Sequence, residues 1–338
     1  MVKKVLTAAV ATAIALSSLT ACGNAPKNIA SYKGGEIPAG VYIYTQQVTL
    51  TGYQNYINTG DILNQKFDDK KLSDIITDDS KDAMKRYAAV ESESARLNLT
   101  LDEEEKQRAI ADTAETYDEQ KEAFEKKGIS KDSVLKLTEN NAKSYKLFEA
   151  YYNEGGEQEV SMKEVETFIT ENYRKATAIE IPMKDKDGKA LTGDALAAQK
   201  KMAQDYFKEI EGGRDFFEVY KEYYTKEGKE FAEGETEKGS ALIMKATDTR
   251  LPKEYVMKVF ATAEQDKPFL FETDDFSVIY KVYDILENDF AKNVRNDVLY
   301  EMKNEAFRDE LLKKGEALEF KFDDAALRAY KIDKIAKR

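Results

Sequence analysis

The chain holds one thiol, Cys22, and no imidazole at all. Those two counts decide most of the chemistry open to it. Without histidine there is no Ser-His-Asp or Cys-His relay, because no side chain of ordinary pKa near neutrality is left to act as general base. Histidine-ligated zinc, copper and iron centres are excluded for the same reason. Carboxylates alone can hold calcium or magnesium, but the sequence has no spaced loop of the D-x-D-x-D-G kind. No metal and no cofactor is therefore expected. A lone cysteine also rules out an intramolecular disulfide. What is abundant instead is aromatic: 20 Tyr and 16 Phe, in a chain of which 34% is charged. Apolar patches ringed by charge can take up exposed apolar segments while the charge keeps the complex in solution.

The surroundings of Cys22 give the thiol a different use. Lys3 and Lys4 form a basic start, and Val5 to Leu16 is an apolar run of small residues. A stable membrane-spanning helix needs about 20 apolar residues, so this run reads as the core of an export signal. Leu19-Thr20-Ala21-Cys22 follows, and it resembles the bacterial lipobox. That resemblance implies cleavage before Cys22 and acylation of it, with several acyl chains holding the protein on the membrane. Residues 1–21 are then the signal peptide and 22–33 a lipid-anchored tether. The expected location is the extracytoplasmic face of the cell membrane.

The charge balance excludes a further class. Net charge is −12, and residues 1–21 carry only two of the 52 basic groups, which leaves 50 basic against 64 acidic. A surface near −14 repels phosphate backbones, so nucleic-acid binding is not expected. With 42% hydrophobic residues, 17 Gly and 5 Pro, the composition suits long amphipathic helices with a real core.

The elements that must position any site follow from periodicity and punctuation. Val41 to Val48 reads as helix, and Ser80 to Leu97 has apolar residues on one helical face. Thr100-x-x-Glu103 has the form of a capping box opening a helix to about Lys127, with Gly128 as its stop. A third helix starts at Ser130, and Ser161-x-x-Glu164 is a second capping box. Aromatics between Tyr42 and Tyr53 read as packing inside this helical part, a client-binding surface being the alternative. After Tyr173 the texture changes to strand, helix, helix, strand, helix, strand, closing on Phe276 to Leu286. That is an α+β domain. Asn293 to Lys314 returns to helix, and Asp323 can cap a last one.

Five segments of the α+β stretch carry a resemblance. They are Lys175-Ala176-Thr177-Ala178-Ile179, Gly212 to Phe217 with Tyr223-Tyr224-Thr225, Lys238 to Leu242, Leu251 to Tyr255 with Phe260, and Phe276 to Val282. In that order they resemble the parvulin family of peptidyl-prolyl isomerases, as found in PrsA-type and SurA-type extracytoplasmic foldases. The resemblance implies a predominantly helical α+β protein. Residues 34–172 and 288–338 would form a helical chaperone lobe, and 173–287 the inserted parvulin-like domain. Isomerases of this family carry one histidine on the first strand and one on the last. Here those positions are Ala178 and Val278, and a third polar position falls at Lys226. The family's proline-pocket aromatic corresponds to Tyr255, with Phe260 nearby; Tyr255, Phe260 and Tyr280 are the candidate peptide-binding pocket, packing in the core of the small domain being the alternative. The implied function is an anchored foldase that binds unfolded exported proteins, its parvulin-like domain without catalysis. An active isomerase is the alternative, and a solute-binding or envelope-scaffold lipoprotein is the third reading; a solute-binding protein would need two α/β lobes.

Overall fold

The computed structural model describes residues 26–54 and 61–338. The export signal and Cys22 lie outside the described residues. Two compact units emerge, one from the described residues up to Tyr151 together with Glu305–Arg338, the other from Tyr152–Asn304.

The first unit begins with β1 (Asn28–Tyr32) and β2 (Gly35–Pro38), followed by α1 (Ala39–Gln54). A short hairpin of β3 (Lys66–Phe67) and β4 (Lys70–Lys71) leads into α2 (Leu72–Arg96). Then come α3 (Glu103–Glu119), α4 (Lys121–Lys127) and α5 (Lys131–Tyr152). Residues 28–32, read from sequence as tether, are strand because Ile29 is fully buried and cannot stay in a solvated linker. α2 starts well before Ser80, since Leu72 and Ile76 are also buried and extend the same face. It ends in a Schellman motif: Asn98, at φ 54°, sends its amide to the Ala95 carbonyl, and the Leu99 amide bonds the Ser94 carbonyl.

α3 is capped two residues later than the Thr100 pattern suggests. The Asp102 carboxylate accepts from the Glu105 amide at 2.9 Å, and Glu105 accepts from the Asp102 amide at 2.8 Å. Leu101 is buried just ahead of the cap, which fixes where the chain can turn. The expected single helix to Lys127 is broken at Gln120, and both Tyr117 and Phe124 turn into the core with ring centres 5.7 Å apart. Gly128 ends α4 at φ 84°, a conformation that a side chain would strain.

The second unit starts with α6 (Met162–Asn172), closed at its N-terminus by the Ser161–Glu164 capping box read from sequence. Next come β5 (Tyr173–Pro182), α7 (Gly193–Glu211), α8 (Phe216–Lys226), β6 (Leu242–Lys245), α9 (Lys253–Ala261), β7 (Pro268–Glu272), β8 (Phe276–Tyr283) and α10 (Phe290–Asn293). The sheet order is β6-β5-β8-β7, antiparallel throughout. β7 is the strand of this sheet that the sequence reading missed. It is half-buried, opens with a proline and lies at the sheet edge, where a missing amide costs no ladder bond. The unit takes in α6 and α10, which pack together, so it is wider than residues 173–287.

The last elements are α11 (Arg295–Glu316), β9 (Lys321–Phe322), α12 (Asp324–Ala329) and α13 (Ile332–Ile335). β9 pairs with β1, giving a three-stranded antiparallel sheet β2-β1-β9. The first unit's core gathers Ile29, Ile37, Tyr42, Met84, Phe124 and Ile335 around it. Asp323 caps α12 through the Ala326 amide at 2.8 Å, as its type predicts. Every strand pairing among the described residues is antiparallel. The βαβ-wound lobes of a solute-binding protein are absent there.

Two helical glycines separate packing from propensity. A Cβ on Gly315 would lie 2.2 Å from the Lys85 carbonyl oxygen, whereas one on Gly52 would meet nothing within 4 Å. Gly315→Ala should lose about 1–3 kcal/mol in urea denaturation through overpacking. Gly52→Ala should leave stability unchanged or raise it by up to about 1 kcal/mol.

Candidate functional site

The β5–β8 pairing decides which side chains meet. Ala178 stands opposite Tyr280, and Glu180 opposite Val278. Side chains alternate along a strand and directly paired residues share a face. Ala178, Glu180, Val278 and Tyr280 therefore lie on one face. The residues between them, Ile179 and Ile279, point to the other face, where α7 and α8 bury them.

The first face is covered by α9, which brings Tyr255 and Val259 onto it, while β7 adds Phe269 and Phe271. Tyr280 is fully buried. Its ring meets Tyr255 edge-on at 5.8 Å and stacks on Phe269 at 5.6 Å. Its hydroxyl shares a hydrogen bond of 2.8 Å with Thr262 Oγ1. Phe260 packs beside this cluster, under the Arg174 guanidinium at 4.6 Å. Thus Tyr255, Phe260 and Tyr280 do come together with Ala178 and Val278, and the three rings fill the space between helix and sheet.

The chemistry of that face is narrow. Burial pushes the Tyr255 phenol well above its ordinary value, with the charges of Tyr280 and Glu180 adding to it. Tyr280 is pushed up by burial as well. Both remain neutral phenols at physiological pH and cannot serve as bases. Ala178 and Val278 add neither donor nor acceptor.

Tyr224 stands in one of the resembling segments, but the sequence gives no sign of the role it takes here. β6 pairs with β5 only from Tyr173 to Ala176. Beyond that point the Tyr224 hydroxyl donates to the Ala178 carbonyl at 3.2 Å and accepts from the Glu180 amide at 3.2 Å. One phenol thus takes the place of a neighbouring strand. Its sequence signal is the aromatic density of α8, which reads as core and gives no hint of a backbone contact.

Lys226 is placed elsewhere. Its ammonium bonds Glu222 at 2.6 Å and the Tyr206 hydroxyl at 3.1 Å, on the α7–α8 side of the sheet. Glu222 also binds Arg214, and hydrogen bonds from Lys226 and Arg214 hold its carboxyl down at about 2. The segment before β6 is fixed by Glu237, which accepts from Lys281 at 2.6 Å and from the Tyr283 hydroxyl at 2.7 Å. Among the described residues no group of three acidic, cysteine or histidine side chains is placed to hold a metal ion. No helix among them is long and apolar enough to cross a membrane.

No protein-family model and no curated protein sequence matches the chain. The solved structures to which it is similar include three of foldases. The foldase protein PrsA from Streptococcus pneumoniae str. Canada MDR_19A shares 15% identity over 90% of this chain and 100% of that one, at a TM-score of 0.38. The foldase protein PrsA from Lactococcus lactis shares 12% over 92% and 99%, at 0.37. PrsA from Bacillus subtilis shares 13% over 92% of each, at 0.24.

Tyr224→Phe should lower the stability of the full chain by about 1 kcal/mol in urea denaturation, the usual cost of losing such hydrogen bonds. An unchanged midpoint would mean that water serves the β5 edge as well as the phenol does.

Proposed function

We propose that this chain is a membrane-anchored extracytoplasmic chaperone of the foldase type. It binds unfolded segments of exported proteins, and its α+β domain binds without catalysing isomerisation. The observation that carries the second half is the pairing of Ala178 with Tyr280 and of Val278 with Glu180. Rotation about a prolyl peptide bond meets a barrier of about 20 kcal/mol, and lowering it takes groups that respond to the changing amide. An alanine, a valine and two neutral phenols, packed against one another with Glu180 exposed to solvent on the same face, offer no imidazole for such a response.

The first half is supported by the surface. Leu242 and Met257 are 59% and 61% exposed on β6 and α9, the two elements that border the shelf. Exposed apolar side chains of this kind take up the apolar segments that an unfolded chain presents. The surplus of acidic groups keeps such a complex in solution. Anchoring through Cys22 would hold the activity where exported chains emerge.

The test is aggregation of a chemically unfolded secreted protein diluted into buffer, followed by light scattering. The full chain should suppress scattering near equimolar ratio with no added nucleotide. Unchanged scattering at a several-fold excess would remove the chaperone reading.

A further inference from the structure

A cavity of about 420 Å³ opens in the first unit, where the start of α2 meets α12 and α13. Its volume falls within the range of small-ligand sites. Three of its lining residues are cationic: Lys81, Arg328 and Lys331. The carboxylates of Asp74, Asp324 and Asp333 line it too, with Asp78 between them. Among the described residues these charges form no ion pair with one another; Asp78 reaches only Lys70, at 3.7 Å, outside the cavity.

A surface patch of mixed charge usually settles into pairs, because each pair gains a little Coulomb energy. Here both signs face one concavity and stay apart. A pure anion entering it would meet the carboxylates, and a pure cation would meet the guanidinium and ammonium groups. A molecule carrying both charges satisfies the two sets together.

A second observation points the same way. Tyr42 on α1 is 1% exposed and lines the cavity. Its hydroxyl makes no hydrogen bond to the described residues and is not among their sealed, unsatisfied atoms, so it opens onto the cavity. Burial, reinforced by Asp78, pushes the phenol up to about 12, so it is a neutral donor. A ligand carboxylate entering the cavity would find in this hydroxyl a donor that no protein group occupies.

We infer that this cavity binds a small zwitterion, with Arg328 and Lys331 facing its carboxylate and Asp74 and Asp78 facing its ammonium group. An amino acid and a short peptide share that chemistry. The site belongs to the helical unit and is independent of the aromatic shelf. Its ligand would bias the helices that line it rather than compete for an unfolded chain.

The experiment is calorimetric titration of the full chain, held in mild detergent, with four probes: glycine, diglycine, N-acetyl-diglycine and diglycine amide. Saturable binding of glycine or diglycine is expected, weakened about tenfold or more when either end is blocked. Whether glycine or diglycine binds tighter tells a free amino acid from a peptide as the source. Arg328→Ala, on an exposed side chain, and Tyr42→Phe, which removes one hydroxyl, should each weaken binding about tenfold while leaving thermal unfolding cooperative. Equal binding of blocked and free forms, no binding of any probe, or unchanged binding in both variants would overturn the site.

Discussion

The period-two alternation of β5 against β8 is the constraint on which the candidate site depends. Once Ala178 is set opposite Tyr280, the rest follows. Val278 must share that face, Ile179 and Ile279 must turn away, and α9 must cover what is left with Tyr255 and Val259. A slip of one residue would send Ile179 to the shelf and Ala178 to the α7–α8 core, leaving a void there. The burial of Ile179, Ile181 and Ile279 on one side and of Tyr280 and Val282 on the other holds the register from both faces.

The same constraint explains what was legible in the sequence. Ala178 and Val278 are picked out by the resemblance, strand period adds only that Val278, Tyr280 and Val282 share a face, and α9 is marked by Pro252 before it and by its apolar spacing. Ser161, Gly128 and Asp323 are punctuation whose local chemistry is enough. Other features needed the fold. Thr100 and Asp102 both fit a capping box, and burial of Leu101 decides between them. β1 looks like linker until β2 and β9 pair on either side of it. β7 is weak in isolation, and its partner β8 makes it a strand. Tyr224 gains its role from the shortness of β6, which no local pattern in α8 encodes.

The two units spend their charge differently. In the α+β unit, ion pairs pin loops to the sheet, as Glu237 does through Lys281, both mostly buried. In the helical unit, Glu93 gathers Arg96, Lys314 and the Tyr151 hydroxyl, tying α2 to α5 and α11. Those hydrogen bonds hold its carboxyl below the usual range despite burial. Neither arrangement leaves a poised acid or base beside an aromatic shelf.

The most direct test of the central claim is exchange NMR on an Xaa-Pro peptide, with and without substoichiometric full chain. Cis and trans signals that exchange at the uncatalysed rate, tens to hundreds of seconds per event, are the predicted result. Acceleration that survives purification to homogeneity would contradict the account. It would mean that a shelf of Ala178, Val278 and neutral phenols lowers the barrier without any imidazole.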